Sequence, residues 1–177
     1  KEEPVLVEMV QEANRRVHRA AKADPGQAGM GTTVSLLLAL KGMAYLANVG
    51  DSRAYLFGAT GRINQITRDH SLVAVLVSIG QITPEEAEHH DQRNLLYRSI
   101  GREPDVEVDT FVRRLEQGDR LLLCSDGLTL HLQDQEIADI VNGDELLPKI
   151  CRQLVAAANE RGGEDNISVI LLGVEKN

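Results

Sequence analysis

Two aspartates lie where apolar runs of the chain begin or end. The run Leu121–Ser125 leads directly into Asp126, and Asp165 shortly precedes the run Ile167–Leu172. Each run predicts a buried strand, so one carboxylate would follow a strand and the other would precede one. If the two strands are neighbours, both carboxylates lie at the same edge of a sheet. Carboxylate oxygens are preferred ligands of hard cations such as Mg²⁺ and Mn²⁺, so the pattern indicates metal-assisted chemistry.

A purely structural role is the alternative for both aspartates. Asp-Gly and Asp-Asn pairs, as at Asp126-Gly127 and Asp165-Asn166, are common in turns. Gly127 would allow the backbone to turn immediately after Asp126. Taken singly, the residue types leave both interpretations open.

Composition and charge restrict the kind of protein. A chain of 177 residues with 42% hydrophobic residues fits one globular domain, residues 1–177, with a sizeable core. Aromatic residues make up only 3%, so the core must be built from aliphatic side chains. The net charge of −8 disfavours nucleic acid and anionic membranes as partners, because both would repel the protein. The same charge suits a divalent cation.

The cysteines and the longest apolar runs bear on location. Cys124 and Cys151 are far apart and in no metal-binding spacing, which predicts buried free thiols, typical of a reducing, cytoplasmic setting. No run of 18 or more apolar residues occurs, so no membrane span is predicted.

The order of predicted elements is helix, four strands, short helices, two strands, two helices and a final strand. An amphipathic helix is predicted over 4–23 and an antiparallel meander over 32–67, with a turn at Ala59-Thr60-Gly61. Strands grouped into hairpins indicate an α+β fold, with antiparallel sheets and helices packed outside. The later predicted elements are helices at 72–79, from Thr83, at 134–141 and at 144–160, and strands at 106–113, 120–124 and 167–174.

Five short motifs occur in order along the chain. They are Gly29–Thr33, Gly50–Arg53, Thr67–Ser71, Ser125–Gly127 and Gly163–Asn166, with Gly80–Thr83 and Arg98–Gly101 between the third and the fourth. In this order and at these separations, from about Glu12 to Val174, the chain closely resembles the PP2C family of metal-dependent serine/threonine phosphatases. The resemblance is to the bacterial members in particular.

The resemblance implies a fold, a cofactor and a reaction. The fold would be an antiparallel β-sandwich flanked by helical pairs on both faces, in α-β-β-α layers. Two or three Mn²⁺ or Mg²⁺ ions would activate a water that attacks phosphoserine or phosphothreonine in proteins phosphorylated by serine/threonine kinases. Asp126 and Asp165 match ligands of the binuclear centre, Asp69 matches a residue that helps to bind a third, weaker metal, and residues 79–94 match a mobile flap.

Two histidines close to these motifs have open roles. His70 and His131 could each act as a ligand or as an acid, although a single histidine in a loop is usually neither. His70 follows Asp69 directly, and His131 follows the motif that contains Asp126.

The chain also departs from the family pattern, because residues 1–177 contain no Asp-Gly-x-Gly-Gly motif, whose aspartate bridges both metals in the family. We therefore expect an N-terminally truncated phosphatase domain, which alone would have little activity. A second polypeptide that supplies the missing strands, or a non-catalytic binding or regulatory module, is the alternative. A phosphatase of the related sporulation and stress-response regulators is a further alternative, against which the flap-like segment and Gly50–Arg53 argue.

Overall fold

A computed structural model describes residues 2–58 and 60–175. Of the turn predicted at Ala59-Thr60-Gly61, residue Ala59 lies outside the described residues. The helices and strands are α1 (Glu2–Ala23), β1 (Val34–Leu40), β2 (Met43–Val49), β3 (Arg53–Phe57), β4 (Ile63–Gln65), α2 (Leu72–Ser78), α3 (Pro84–Glu88), β5 (Asp109–Arg114), β6 (Arg120–Cys124), α4 (Asp126–Thr129), α5 (Asp134–Val141), α6 (Leu147–Glu160) and β7 (Val169–Gly173).

The chain divides into two compact units, and each contains one sheet. Unit 1 consists of the chain up to Asp51 together with Arg68–Arg113, and unit 2 consists of Ser52–Thr67 and the chain from Arg114 onward. The sheet orders are β1-β2-β5 for the first and β4-β3-β6-β7 for the second.

Unit 1 is built on a β-hairpin that α1 covers. β1 and β2 pair antiparallel from Val34↔Val49 to Leu40↔Met43, and the two turn residues Lys41 and Gly42 both have positive φ. Such a turn follows the natural twist of the two strands and therefore fixes the hairpin register. The apolar stripe of α1 buries Leu6 and Val10 against this sheet. Other buried members of this core are Ala47, Val49, Ile100 and Val106.

A buried asparagine interrupts the apolar stripe of α1. Asn14 is 1% exposed, and its side chain donates to the carbonyl oxygens of Glu103 and Pro104 and accepts from the amide of Gly101. Because every polar atom of the side chain is paired, its burial is tolerated. The contacts attach the loop around Gly101 to the first helix.

The segment from α2 to Leu95 contains the flap-like residues 79–94, and its two ends lie next to each other. Ser71 caps α2, and Thr83 forms a capping box at α3, as the sequence predicts for Thr83. At the base of the segment the amide of Leu72 donates to the carbonyl of Leu95, and the amide of Tyr97 donates to the carbonyl of His70. The base of this flap-like segment is therefore closed by backbone hydrogen bonds.

Unit 2 packs α5 and α6 against the four-stranded sheet. All three strand pairs of this sheet are antiparallel, with β6 between β3 and β7. Residues Leu121–Cys124 of β6 are buried throughout, in agreement with the continuous apolar sequence. The core of this unit contains Tyr55, Phe57, Leu122, Cys124, Leu128, Leu132, Ile137, Ala138, Val141, Ile150, Leu154 and Ala158.

The predicted α+β class with antiparallel sheets is confirmed, but the predicted four-stranded meander is wrong. β2 and β3 belong to different sheets, and the chain passes between them at Gly50 and Asp51. Gly50 has a φ of 113°, and a Cβ atom there would lie 2.3 Å from Cγ2 of Thr33. A strand pattern in the sequence identifies a strand but not the sheet that it joins. In the sequence, the connection between two sheets at Gly50 and Asp51 therefore looks the same as a hairpin turn. None of the helices among the described residues is long and apolar enough to cross a membrane.

Candidate metal centre

Asp126 and Asp165 lie at one edge of the four-stranded sheet, beside the paired ends of β6 and β7. The register pairs Cys124 with Val169, so the end of β6 is adjacent to the start of β7. Asp126 follows Cys124 closely and Asp165 shortly precedes Val169. Asp126 is half-buried and Asp165 is exposed. The prediction that both carboxylates lie at the same sheet edge is confirmed.

Ser125 joins the chain segments that carry the two carboxylates. Its amide donates to the carbonyl of Ser168 over 3.0 Å, and its hydroxyl accepts from the amide of Ser168 over 3.0 Å. The same hydroxyl donates to the carbonyl of Asn166 over 3.0 Å. The strand ends are therefore linked beyond the last residue pair of the β6–β7 ladder.

Asp126 begins a short helix, which corrects the prediction of a simple Asp-Gly turn. α4 starts at Asp126, and Gly127 does not adopt the left-handed conformation that would favour glycine in a turn. Glycine is required here for another reason, because a Cβ atom at Gly127 would lie 2.5 Å from the carbonyl oxygen of Asn166. The missing side chain allows the start of α4 to approach the backbone that follows Asp165.

The loop that carries Asp165 is held by backbone contacts. Oδ1 of Asp165 accepts from the amide of Asn166 over 2.6 Å, and the amide of Glu164 donates to Nε2 of His131 over 3.2 Å. Gly162 and Gly163 both have positive φ, which glycine adopts without strain. Nε2 of His131 is thus occupied by a hydrogen bond from the loop, which gives this histidine a positioning role.

Arg161 connects the end of α6 to the start of α5 and to His131. Its guanidinium donates to the carbonyl of His131 over 3.0 Å and makes a bidentate ion pair with Glu136, with Nη1 2.6 Å from Oε2. Hydrogen bonds from Arg161, and then from the backbone of Gln133, lower the pKa of Glu136 to about 2. The contacts fix the chain at Arg161, on the N-terminal side of the Asp165 loop.

Asp69 lies in unit 1, beside a buried histidine. His70 is 1% exposed, its Nδ1 accepts from the amide of Gly50 over 3.1 Å, and its Nε2 lies 3.4 Å from Oδ2 of Asp109. An Nδ1 that accepts leaves the proton on Nε2, which can then donate to Asp109. Burial, and then the nearby Arg98 guanidinium, lower the pKa of His70. His70 therefore holds the loop that presents the half-buried Asp69.

The donors at the β6–β7 edge fit a hard cation by type. Asp126 and Asp165 supply charged oxygen atoms, the accessible position of Asp165 leaves room for water ligands, and Mg²⁺ commonly binds through one or two carboxylates plus waters. Within the two described stretches of chain, no three His, Cys, Asp or Glu side chains form a metal-binding group. The edge of unit 2 therefore carries two carboxylates of a suitable type, without a third such side chain beside them in the described chain.

Of the four residues that hold this edge, three were missed in the sequence, and His131 was considered only as a ligand or an acid. Ser125, His131, Glu136 and Arg161 contact segments between 25 and 43 positions away along the chain. Such pairings depend on the strand register and on the packing of α5 against α6. The only sequence signal for Ser125 was its position directly before Asp126 in the Ser125–Gly127 motif.

Comparisons with protein families match two models to consecutive parts of the chain. The model of protein phosphatase 2C matches residues 1–74, and the model of stage II sporulation protein E matches residues 81–175. The second match includes most of the flap-like segment, so this segment does not argue against the sporulation-type alternative as the sequence suggested. Individual proteins that match nearly the whole chain distinguish a PP2C phosphatase from a sporulation-type phosphatase better than these partial matches do.

Individual proteins match most of the chain. The serine/threonine phosphatase stp of Listeria welshimeri is 42% identical over 168 residues, which are 95% of this chain and 66% of that protein. The crystal structure of the serine/threonine phosphatase Stp1 from Staphylococcus aureus superposes with a TM-score of 0.94 at 38% identity, covering 98% of this chain and 68% of that one. The catalytic domain of the phosphatase PstP, in complex with two manganese ions, has a TM-score of 0.88 at 34% identity and covers 97% of this chain and 70% of that one.

An α+β fold with carboxylates at a sheet edge, together with these similarities, is typical of the bacterial metal-dependent phosphatases. The chain belongs to the PP2C family of bacterial serine/threonine phosphatases. It spans about two thirds of the length of the relatives that it matches.

Proposed function

We propose that the protein removes phosphate from phosphoserine and phosphothreonine residues of other proteins in a metal-dependent reaction. The observation that carries the proposal is the placement of Asp126 and Asp165 at the linked ends of β6 and β7, in a chain 42% identical to a serine/threonine phosphatase. A carboxylate pair on a sheet edge held by backbone hydrogen bonds is suited to fixed placement of a cation.

Asp126 and Asp165 would hold Mn²⁺ or Mg²⁺, two ions in the main centre. When bound, such ions neutralise phosphate charge and acidify a water molecule that can attack phosphorus. The residues of this chain provide negative charge and rigid positions. Ser125 and Gly127 keep the two carboxylate-bearing segments close together, and Arg161 and His131 hold the part of the loop that precedes Asp165.

Asp69 would help to bind a further and weaker metal ion. The buried His70 next to it has its backbone amide bonded to the carbonyl of Gly50 and its carbonyl bonded to the amide of Tyr97. The backbone next to Asp69 is thereby fixed near the base of the flap-like segment, residues 79–94. A site with few carboxylates and several waters binds weakly and fills only at high metal concentration.

Residues 1–177 would form a single phosphatase domain that acts on the products of serine/threonine kinases in the cytoplasm. In the described structure neither the buried Cys124 nor the half-buried Cys151 forms a disulfide, which suits a reducing compartment. Because no Asp-Gly-x-Gly-Gly motif occurs in these residues, full activity would require that motif from outside them.

The test is phosphate release from phosphopeptides by the protein that the complete gene encodes. We expect hydrolysis of phosphoserine and phosphothreonine peptides with Mn²⁺ or Mg²⁺, loss of activity in EDTA, and recovery when the metal is restored. Equal turnover without metal would contradict the proposed chemistry. A folded protein that binds Mn²⁺ but releases no phosphate would favour the non-catalytic alternative.

A further inference from the structure

The hydroxyl of Ser125 occupies a position that a backbone carbonyl would fill in a regular β-ladder. Ser125 and Ser168 form the next residue pair after Cys124 and Val169, and the amide of Ser125 donates to the carbonyl of Ser168 as the ladder requires. The amide of Ser168, however, donates to the Ser125 hydroxyl. The carbonyl of Ser125 instead accepts from the amide of Leu128, in the first turn of α4.

This exchange lets the chain leave the sheet at Asp126 without loss of a hydrogen bond. The serine hydroxyl gives the amide of the exposed Ser168 a partner while the backbone turns into α4. The hydroxyl proton is then directed to the carbonyl of Asn166, the residue that follows Asp165. The Ser125 side chain therefore links the segment that carries Asp126 to the segment that carries Asp165, through hydrogen bonds with Asn166 and Ser168.

We propose that Ser125 is a positioning residue that sets the separation of Asp126 and Asp165 for metal binding; this rests on the proposed function. It lies next to the first carboxylate in sequence and is hydrogen-bonded to the neighbour of the second. Residues that orient metal ligands without touching the metal commonly change metal affinity by 10–100-fold. Ser125 is only half-buried, and the five residue pairs of the β6–β7 ladder do not depend on its side chain.

The alternative is that the hydroxyl contributes only to general stability. Two readouts separate these roles, namely Mn²⁺ affinity measured by calorimetry and the melting temperature measured in EDTA. The experiment uses the full-length protein with the variants Ser125→Ala, Ser125→Thr and Ser168→Ala. Ser168→Ala is the matched control, because it also removes a serine hydroxyl, from the residue that faces Ser125 just before the start of β7. In the described part of the chain, the Ser168 hydroxyl makes no hydrogen bond.

We expect Ser125→Ala to weaken Mn²⁺ binding about tenfold or more while its melting temperature in EDTA stays within roughly 5 °C of the parent. Ser125→Thr keeps the hydroxyl on an extended backbone. It should therefore bind Mn²⁺ within about twofold of the parent, a difference in binding free energy of about 0.4 kcal/mol. Ser168→Ala should bind like the parent.

Parent-like Mn²⁺ affinity in Ser125→Ala would overturn the positioning role, as would an equal loss in Ser168→Ala. If Ser125→Ala fails to fold, Ser125→Cys replaces it, since a thiol keeps a similar volume but forms weaker hydrogen bonds. An intermediate loss of affinity is then expected, and parent-like affinity would again overturn the proposal. Failure of the proposed function is distinguishable, because the parent would then bind Mn²⁺ without releasing phosphate, or Asp126→Asn and Asp165→Asn would leave Mn²⁺ binding unchanged.

Discussion

Asp126 and Asp165 are held in different ways at the residue scale. Asp126 is the first residue of α4 and is half-buried, whereas Asp165 is exposed on a loop and accepts a hydrogen bond from the next amide. A charged group at a helix start is stabilised by the helix, but four residues make only one turn. The positions of both carboxylates therefore depend on contacts between the strand ends.

Replacing either carboxylate by an amide should remove Mn²⁺ binding while preserving shape. We expect Asp126→Asn and Asp165→Asn each to weaken Mn²⁺ affinity by at least about tenfold, because the charge that attracts the cation is lost. Calorimetry on the full-length protein measures this. Asp139→Asn, an exposed aspartate of α5, is the matched control and should bind like the parent. Parent-like affinity in both test variants would show that the aspartates only form turns.

Asp69→Ala should change the metal dependence of activity rather than the fold. The loop is already fixed by the buried His70, so we expect a melting temperature close to that of the parent. If Asp69 helps to bind a weak metal, the variant needs more Mn²⁺ to reach its maximal rate, and that rate is lower.

The measurement for Asp69→Ala is activity against Mn²⁺ concentration. The exposed Asp105→Ala serves as the control and should follow the parent curve. If Asp69→Ala also follows the parent curve at every concentration, the proposed third site should be abandoned.

Gly127→Ala tests the close approach between α4 and the Asp165 segment. The new Cβ atom would meet the Asn166 carbonyl oxygen at 2.5 Å, so one of the two backbones must move. We expect the free energy of unfolding to fall by about 1–3 kcal/mol and Mn²⁺ affinity to fall with it. Gly58→Ala is the control, since a Cβ atom there has no neighbour within 4 Å in the described structure. Equal denaturation midpoints for Gly127→Ala and the parent would refute the close approach.

The sequence contained the candidate ligands but not the residues that hold them. Asp126 and Asp165 follow from strand-end motifs that can be recognised locally. Ser125 and His131 act through contacts with residues 166, 168 and 164, and these contacts exist only once the register of β6 and β7 is set. Local patterns carry no information on such pairings.

At the scale of elements, the ion pair between α5 and α6 gives the fold a defined acid sensitivity. Glu136 pairs with Arg161, and hydrogen bonds from Arg161 lower the pKa of Glu136 from 4.5 to about 2. A carboxyl group with a lowered pKa stabilises the folded state above the unfolded pKa, and this contribution disappears as pH falls toward the folded pKa. The sensitive window therefore runs from about pH 4.5 down to about pH 2.

Glu136→Gln should remove this part of the acid sensitivity. We expect the variant to be less stable than the parent at neutral pH, and the difference to shrink as pH falls through that window. Chemical denaturation at a series of pH values measures it, and Glu160→Gln on the exposed face of α6 is the control. A stability difference that stays constant with pH would show that the ion pair does not have the predicted effect.

Most elements were predictable because their patterns are local. The helix over α1, the hairpin of β1 and β2, the capped start of α3 and the buried strand β6 appear close to the predicted positions. The assignment of β2 and β3 to one meander failed, because Gly50 and Asp51 connect two sheets. The helix α4 was missed because four residues are too few to show helical periodicity.

At the scale of the whole molecule, the acidic and aliphatic composition agrees with the family assignment. The net charge of −8 suits a protein that binds divalent cations, and aliphatic residues make up most of both cores. The expectation of a purely aliphatic core is wrong for unit 2, because Tyr55 and Phe57 are buried there. Two compact units each carry predicted ligands, Asp69 in the first and Asp126 and Asp165 in the second. The chain spans about two thirds of its relatives, so the activity of the whole protein is best measured on the product of the complete gene.

The most direct test is turnover of a phosphothreonine peptide as Mn²⁺ is titrated, with the full-length parent and Asp126→Asn side by side. We expect the parent to be inactive without metal and to reach saturation with Mn²⁺. Asp126→Asn, although folded, should have a kcat at least about a hundredfold lower at saturating metal. Parent-like turnover by Asp126→Asn, or full turnover by the parent without metal, would contradict metal-dependent catalysis at Asp126.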